Sequence, residues 1–149
     1  MRKKLSISLA GIALLAAATA WSSDVTYTSH IQPLVAAKCV ACHGKDAAPE
    51  YQAFKKEKEK WVAKGQGMRM DTYSHLIFYT AWPDSGALMR RLDDGKASGK
   101  PGNMYQHLGA SEEERQKNLS LFKSWVGNWT HKRWNEITKE EMNGITVKY

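Results

Sequence analysis

Two cysteines and a histidine within five residues have the types and the spacing to bind a redox cofactor. They occur in the order Cys39-Val40-Ala41-Cys42-His43. In a helical turn, residues three and four positions apart share a face, so both sulfurs can reach the two vinyl groups of one porphyrin edge. The adjacent imidazole can then bind the iron. The spacing therefore predicts one haem c, covalently attached through Cys39 and Cys42, with His43 as its proximal ligand.

Three other interpretations of the cysteine pair fit the sequence less well. A redox pair of the thioredoxin type is expected in a βαβ context, and no strand pattern surrounds these residues. A structural zinc site needs four ligands, and the sequence has no second cysteine pair. A simple disulfide suits an oxidising compartment but leaves the adjacent His43 unexplained. The pattern favours haem c over all three.

The N-terminus has the features of an export signal. Basic residues at positions 2–4 precede an apolar run from Leu5 to Ala18, and small residues occupy positions 18 and 20. This pattern predicts a signal peptide over residues 1–20, cleaved after Ala20, and hence a periplasmic protein. A bilayer span needs about 20 apolar residues, more than this run offers, so no integral membrane span is expected in the mature chain.

Composition and charge narrow the function classes. The chain has 149 residues, 42% hydrophobic and 25% charged, which indicates one globular domain and excludes disorder and a multi-span membrane protein. The formal charge is +7, from 22 basic and 15 acidic residues. Loss of the three basic residues with the signal leaves 19 − 15 = +4. We therefore expect no nucleic-acid partner.

Apolar periodicity predicts helices throughout the mature chain. Asp71 is the expected N-cap of the helix over 72–82, and Ser111 with Glu114 forms a predicted capping box before the C-terminal helix. Residues 96–107 are predicted to be an irregular loop. No stretch alternates for long enough to build a sheet, so the predicted fold class is all-α. The predicted helices cover residues 24–39, 50–64, 72–82, 87–92, 112–126 and 138–142.

Several segments together resemble a known family. Besides the cysteine motif they are residues 31–34, 68–73 and 85–92, and the helix that ends near Val126. In these features the chain resembles a monohaem class I-type cytochrome c, and in particular the planctomycete-type cytochrome c subgroup. The resemblance implies a small helical bundle around one covalent haem. It divides the chain into a signal peptide (1–20), a cytochrome c domain (21–128) and an aromatic, charged extension (129–149).

The resemblance also implies a sixth iron ligand, a methionine on the loop before the last helix. Met104 occupies that place, with Tyr105 after it where the family commonly has proline. His107 remains an alternative ligand. The other methionines are expected to pack in the core or lie in the tail, and the other histidines to be surface or partly packed residues. These are Met68, Met70, Met89 and Met142, and His30, His75 and His131.

With both axial positions filled by protein, the iron can only exchange electrons. The predicted function is thus a periplasmic electron carrier, or the cytochrome subunit of an oxidoreductase, with redox proteins as partners and no catalytic residues of its own. Lysines between positions 55 and 64 could steer an acidic partner. The alternative is a haem enzyme or a gas or redox sensor with an open or labile distal site, although the sequence offers no clear distal Arg and His pair.

Overall fold

The computed structural model describes residues 24–149, so the predicted signal peptide lies outside the described residues. Within this range the chain forms short helices joined by turns. Strand pairing over 24–149 is limited to an isolated antiparallel bridge between Gly127 and Ile145. The prediction of an all-α fold is therefore confirmed. Between residues 24 and 149, none of the helices has the length and apolar character needed to cross a bilayer.

The helices of residues 24–149 follow the predicted order. A π-helical turn (Tyr27–Ile31) precedes α1, and a 3₁₀ turn (Tyr105–Leu108) interrupts the predicted loop before α7. The α-helices are α1 (Gln32–Lys38), α2 (Val40–His43), α3 (Tyr51–Lys56), α4 (Lys58–Ala63), α5 (Tyr73–Thr80), α6 (Ala87–Leu92), α7 (Glu112–Val126) and α8 (Lys139–Asn143).

The predicted helix over residues 50–64 is broken in two. Glu57 has φ −127° and ψ 41°, outside the helical region, and separates α3 from α4. Phe54 is buried, but Val62, expected on the same apolar face, is 57% exposed. Most of a helix's stability in a protein comes from packing its apolar face. A segment with one well-buried side chain therefore has little to hold a single straight helix.

The N-terminal capping of two helices differs in part from the prediction. Thr72, not Asp71, is the N-cap of α5, because its hydroxyl accepts from the backbone N–H of His75 at 3.3 Å. Ser111 caps α7 as expected, accepting from the N–H of Glu114 at 3.1 Å. The Glu114 side chain, however, does not complete the predicted capping box. It accepts from the N–H of Ala110 at 2.7 Å.

Glu114 also connects the two helices that frame the core. Its carboxylate pairs with Lys38 Nζ at 2.6 Å, which joins the start of α7 to the end of α1, one residue before Cys39. The π-turn before α1 packs on α7, and α5 packs on α6. The most deeply buried apolar side chains come from all of these elements: Ile31, Val35, Leu76, Tyr79, Met89, Leu108, Leu119, Phe122, Trp125 and Val126.

The C-terminal tail packs on this same core. The carbonyl of Lys148 accepts from the backbone N–H of Tyr27 and from Trp125 Nε1, both at 2.8 Å. The hydroxyl of Tyr73 donates to the carbonyl of Val147 at 2.9 Å. The Tyr149 ring lies 5.0 Å from the Tyr73 ring, centroid to centroid. The predicted extension over 129–149 therefore covers the π-turn, α5 and α7 of its own chain.

Candidate functional site

Cys39, Cys42 and His43 lie on one helical turn, as their spacing predicts. Cys39 links α1 to α2: its N–H donates to the carbonyl of Val35, and its carbonyl accepts from the N–H of His43, both at 2.8 Å. The Cys39 side chain is half-buried and packs against the core, whereas Cys42 is exposed. The turn therefore contains one half-buried and one exposed cysteine.

The environment of Cys39 does not activate its thiol for thiol–disulfide exchange. Both cysteines are free. Burial, with a smaller contribution from Cys42, raises the pKa of the Cys39 thiol to about 11. Redox-active Cys-x-x-Cys pairs need the opposite, a lowered pKa that keeps one sulfur as a thiolate at neutral pH. This environment argues against the thioredoxin-type alternative.

The imidazole of His43 is oriented by the backbone of a distant segment. His43 Nδ1 lies 2.7 Å from the carbonyl oxygen of Met68. Because a carbonyl can only accept, Nδ1 must carry the proton and donate it, which leaves the Nε2 lone pair available for a metal. Metal-bound histidines commonly donate their second ring N–H in this way, which fixes the ring and raises the basicity of the ligating nitrogen.

Residues 67–70 lie directly against His43. A Cβ atom on Gly67 would approach His43 Cε1 to 2.6 Å, closer than real Cβ contacts come, so a residue without a side chain is required here. Two residues further on, the N–H of Met70 donates to the carbonyl of His43 at 2.8 Å. Segment 67–70 thus holds both the ring and the backbone of the histidine.

Met104 lies on the loop between α6 and α7, directly before the 3₁₀ turn. Its N–H donates to the carbonyl of Arg91 at 3.0 Å, which anchors the loop to the end of α6. The Met104 side chain is half-buried against the same hydrophobic core that Cys39 and Met68 contact. The thioether on this loop therefore packs against the same hydrophobic core as Cys39 does.

The remaining methionines and histidines have other environments. Met89 is fully buried in the core, as predicted, and Met68 and Met70 pack at its edge. His107, the alternative ligand, is exposed on the 3₁₀ turn. The other three histidines are partly packed, also as predicted, and each contacts a hydrogen-bonding or charged partner. These pairs are His30 with Thr26, His75 with Glu50 and His131 with Asp93.

These donors fit a haem c. The set comprises two free thiols on one turn, an imidazole whose Nε2 is available, and a half-buried thioether on a loop. Thioether attachment with His and Met as axial ligands uses these groups. An all-α fold with such a site defines a class of protein, the c-type cytochromes.

Comparison with known proteins gives the particular family. Residues 26–149 match the PccH Cytochrome c family. The chain is similar to the solved structure of the monohaem cytochrome PccH from Geobacter sulfurreducens, with 72% identity and a TM-score of 0.80 over 85% of this chain and 99% of that one. No curated protein matches. The chain belongs to the PccH cytochrome c family.

Family membership decides several of the predictions. The chain is a monohaem c-type cytochrome with the small all-α cytochrome c fold, and its cofactor is one covalently bound haem c. The family match extends through residue 149 and so includes the tail that the class I resemblance left out. The residues that hold the haem stay a prediction from the motif and its geometry.

Sequence reasoning missed the contribution of segment 67–70. The group that binds His43 Nδ1 is a backbone carbonyl, which every residue type carries, so the identity of Met68 gives no signal for it. Gly67 is the one residue whose type reflects the contact. In the sequence, its position beside Gly65 made it look like an ordinary helix interruption.

Gly67→Ala tests how closely this segment contacts the histidine. The added methyl would overlap the imidazole, so we expect a reduced yield of haem-containing protein and a disturbed low-spin spectrum in what matures. The measurement is haem content per chain, with the absorption spectrum of the oxidised protein. Gly144→Ala is the control, since its Cβ would come no closer than 3.0 Å to any neighbouring atom, the nearest being Asn128 Cβ. Equal yields and spectra for the two variants would contradict the expectation.

Proposed function

We propose that this protein is a periplasmic carrier of single electrons between redox proteins, free or as the cytochrome subunit of an oxidoreductase. The supporting observation is that the chain offers two donors suited to haem iron: the imidazole of His43, oriented by Met68, and the thioether of Met104, half-buried against the core. When bound, the haem supplies a one-electron iron couple. With both axial positions occupied by side chains, substrates have no coordination site, and electron exchange with partners remains.

Each residue of the proposed site has a separate task. Cys39 and Cys42 form the thioethers that prevent loss of the cofactor, and His43 is the proximal ligand. Met104 is the distal ligand, and it excludes water and small molecules from that side. Histidine with methionine gives a higher reduction potential than two histidines, because a thioether favours the reduced iron. Because these four residues hold the haem and none acts on a substrate, we assign no catalytic residue.

The distal assignment is tested by Met104→Leu, a volume-conserving change that removes the sulfur. We expect the oxidised variant to lose the weak near-infrared charge-transfer band typical of methionine–iron bonding and to bind added cyanide or imidazole faster. The measurements are the absorption spectrum and the ligand-binding rate. Met89→Leu, at a fully buried core methionine, is the control and should keep the band.

Two outcomes would contradict the Met104 assignment. If the wild type lacks the band, Met104→Leu leaves the low-spin spectrum unchanged and His107→Gln loses it, His107 is the ligand. If the wild-type protein itself binds added ligands rapidly and lacks the band, the distal position is open, and the haem enzyme or sensor is the better description.

We also propose a docking surface for an acidic partner. It consists of the exposed lysines of α3, of α4 and of the turn after α4. These lysines, called here the lysine segment, are Lys55, Lys56, Lys58, Lys60 and Lys64. With two glutamates among them, residues 55–64 carry 5 − 2 = +3 of the +4 expected for the mature chain. Glu57 neutralises only Lys60, at 3.0 Å. Concentrated charge of this kind accelerates encounters with oppositely charged partners at low salt.

A double substitution, Lys56→Glu with Lys58→Glu, tests the lysine segment. The reduced protein should transfer electrons to ferricyanide, an anionic oxidant, about tenfold more slowly at low ionic strength, and high salt should remove the difference. Lys117→Glu with Lys139→Glu gives the same change in net charge on α7 and α8 and is the control. Stopped-flow rates that fall equally in both double variants would mean that net charge alone matters.

The export proposal rests on residues 1–20 and is tested separately. Expressed with cytochrome c maturation machinery, the haem-stained protein is expected in the periplasmic fraction, with Trp21 as its first residue by N-terminal sequencing. An unprocessed N-terminus in the membrane fraction would indicate an anchor instead. Substituting Ala18 and Ala20 with bulky residues should block processing, whereas substituting Thr19 should not, because the signal peptidase requires small residues at the two alanine positions.

A further inference from the structure

The segment that orients His43 is itself held by an ion cluster on its outer side. Arg69 lies between Met68, whose carbonyl accepts from His43 Nδ1, and Met70, whose N–H donates to the His43 carbonyl. The Arg69 N–H in turn donates to the carbonyl of Pro49 at 2.9 Å. The backbone of Arg69 is thus fixed to the start of α3, while its two neighbours hold the histidine.

The Arg69 side chain spans two carboxylates. Its Nε lies 2.7 Å from Asp71 Oδ1, and its Nη1 lies 2.6 Å from Glu50 Oε1. The guanidinium fork is suited to this task because its donors have a fixed relative geometry, which a lysine ammonium lacks. The arginine therefore joins the start of α3 to the turn before α5 across the segment that contacts His43.

The cluster continues on both sides of the arginine. Asp71 Oδ2 accepts from the backbone N–H of Lys45, in the turn that follows the cysteine motif, at 3.0 Å. His75 Nε2 on α5 lies 2.9 Å from Glu50 Oε2. The two hydrogen bonds to Glu50 hold the pKa of that carboxyl below its usual range. For Asp71, burial alone would raise the pKa, but the bonds from Arg69 and Lys45 outweigh it and lower the pKa.

We propose that Arg69 is a positioning residue for the haem iron. By bridging Glu50 and Asp71, it holds the Met68 carbonyl within hydrogen-bonding distance of His43 Nδ1. The strength of this hydrogen bond then sets the reduction potential of the iron. The physical link is the basicity of the ligand. A strong Nδ1–H···O bond makes the imidazole a better electron donor through Nε2 and favours ferric iron. The inference rests on the proposed function, since it takes His43 as the proximal ligand.

Loss of the Arg69 charge and loss of its positioning effect on Met68 would shift the midpoint potential in opposite directions, which makes the proposal testable. Removing the positive charge of Arg69 would by itself favour ferric iron and lower the midpoint potential. Loss of the contacts that hold Met68 would weaken the hydrogen bond of His43, which favours ferrous iron and raises the midpoint potential. The sign of the shift therefore separates a positioning role from simple electrostatics.

The experiment compares midpoint potentials by spectroelectrochemistry. For Arg69→Gln we expect a shift of the iron redox equilibrium of about tenfold toward the reduced form, a rise of about 59 mV for a one-electron couple. Arg69→Lys keeps the charge but loses the fork, so the opposing effect of charge loss is absent and its midpoint potential should also rise. Lys132→Gln removes an ion pair of the same length, 2.6 Å to Glu141 on α8, and is the control with no rise.

A second measurement follows the hydrogen bond directly. In NMR spectra of the reduced protein, the ring Nδ1 proton of His43 should exchange with solvent faster in both Arg69 variants than in the wild type or in Lys132→Gln. A loss of stability alone would not raise the potential while leaving the near-infrared band of the distal ligand intact. If Arg69→Gln fails to mature, the charge-conserving Arg69→Lys decides the question.

The outcomes distinguish this inference from the function on which it rests. A wild-type protein without a reversible one-electron couple would overturn the proposed function. A normal wild-type couple, with the Arg69 variants at or below its potential and unchanged Nδ1 exchange, would overturn only the positioning role of Arg69.

Discussion

The hydrogen bond from His43 Nδ1 to the carbonyl of Met68 is the interaction on which the site depends. It determines which ring nitrogen carries the proton and therefore which one is free for iron. It also joins two parts of the chain that are 25 positions apart. The chain between them forms α3, α4 and the turn after α4. These elements must place the backbone of Met68 next to His43. The short contact predicted for any side chain on Gly67 shows how closely the two segments approach.

The surrounding fold keeps these segments in place from two sides. On one side, the Lys38–Glu114 ion pair joins the residue before Cys39 to the start of α7. On the other, Arg69 and its carboxylates connect the start of α3 with the turn before α5. Exposed ion pairs contribute little stability on average. Their importance here is geometric, because each ends next to a backbone segment that contacts the cysteine motif.

The tail packs on the core and lies within residues 26–149, the part of the chain that matches the family. Residues 145–149 add backbone hydrogen bonds to the π-turn and to α7, and Tyr149 extends the aromatic cluster of Tyr27, Tyr73 and Trp125. Arg90 on α6 donates to the carbonyl of His131 at 2.7 Å and holds the start of the tail. The cytochrome core and the tail are therefore packed as one unit, and the family match through residue 149 agrees with this arrangement.

The sequence by itself determined the all-α class, the monohaem cytochrome assignment and most helix positions, because these follow from local patterns: the cysteine spacing, apolar periodicity and a capping serine. It was wrong where other contacts compete for the same groups, as at Asp71, which accepts from the distant backbone N–H of Lys45, pairs with Arg69 and leaves the cap of α5 to Thr72. Only the tertiary structure decided that Met68 orients His43, that Arg69 bridges Glu50 and Asp71, and that the tail covers the core. Each of these includes a contact between residues far apart in sequence, such as Arg69 with Glu50, and the groups involved are often backbone atoms, which have no residue-specific signature.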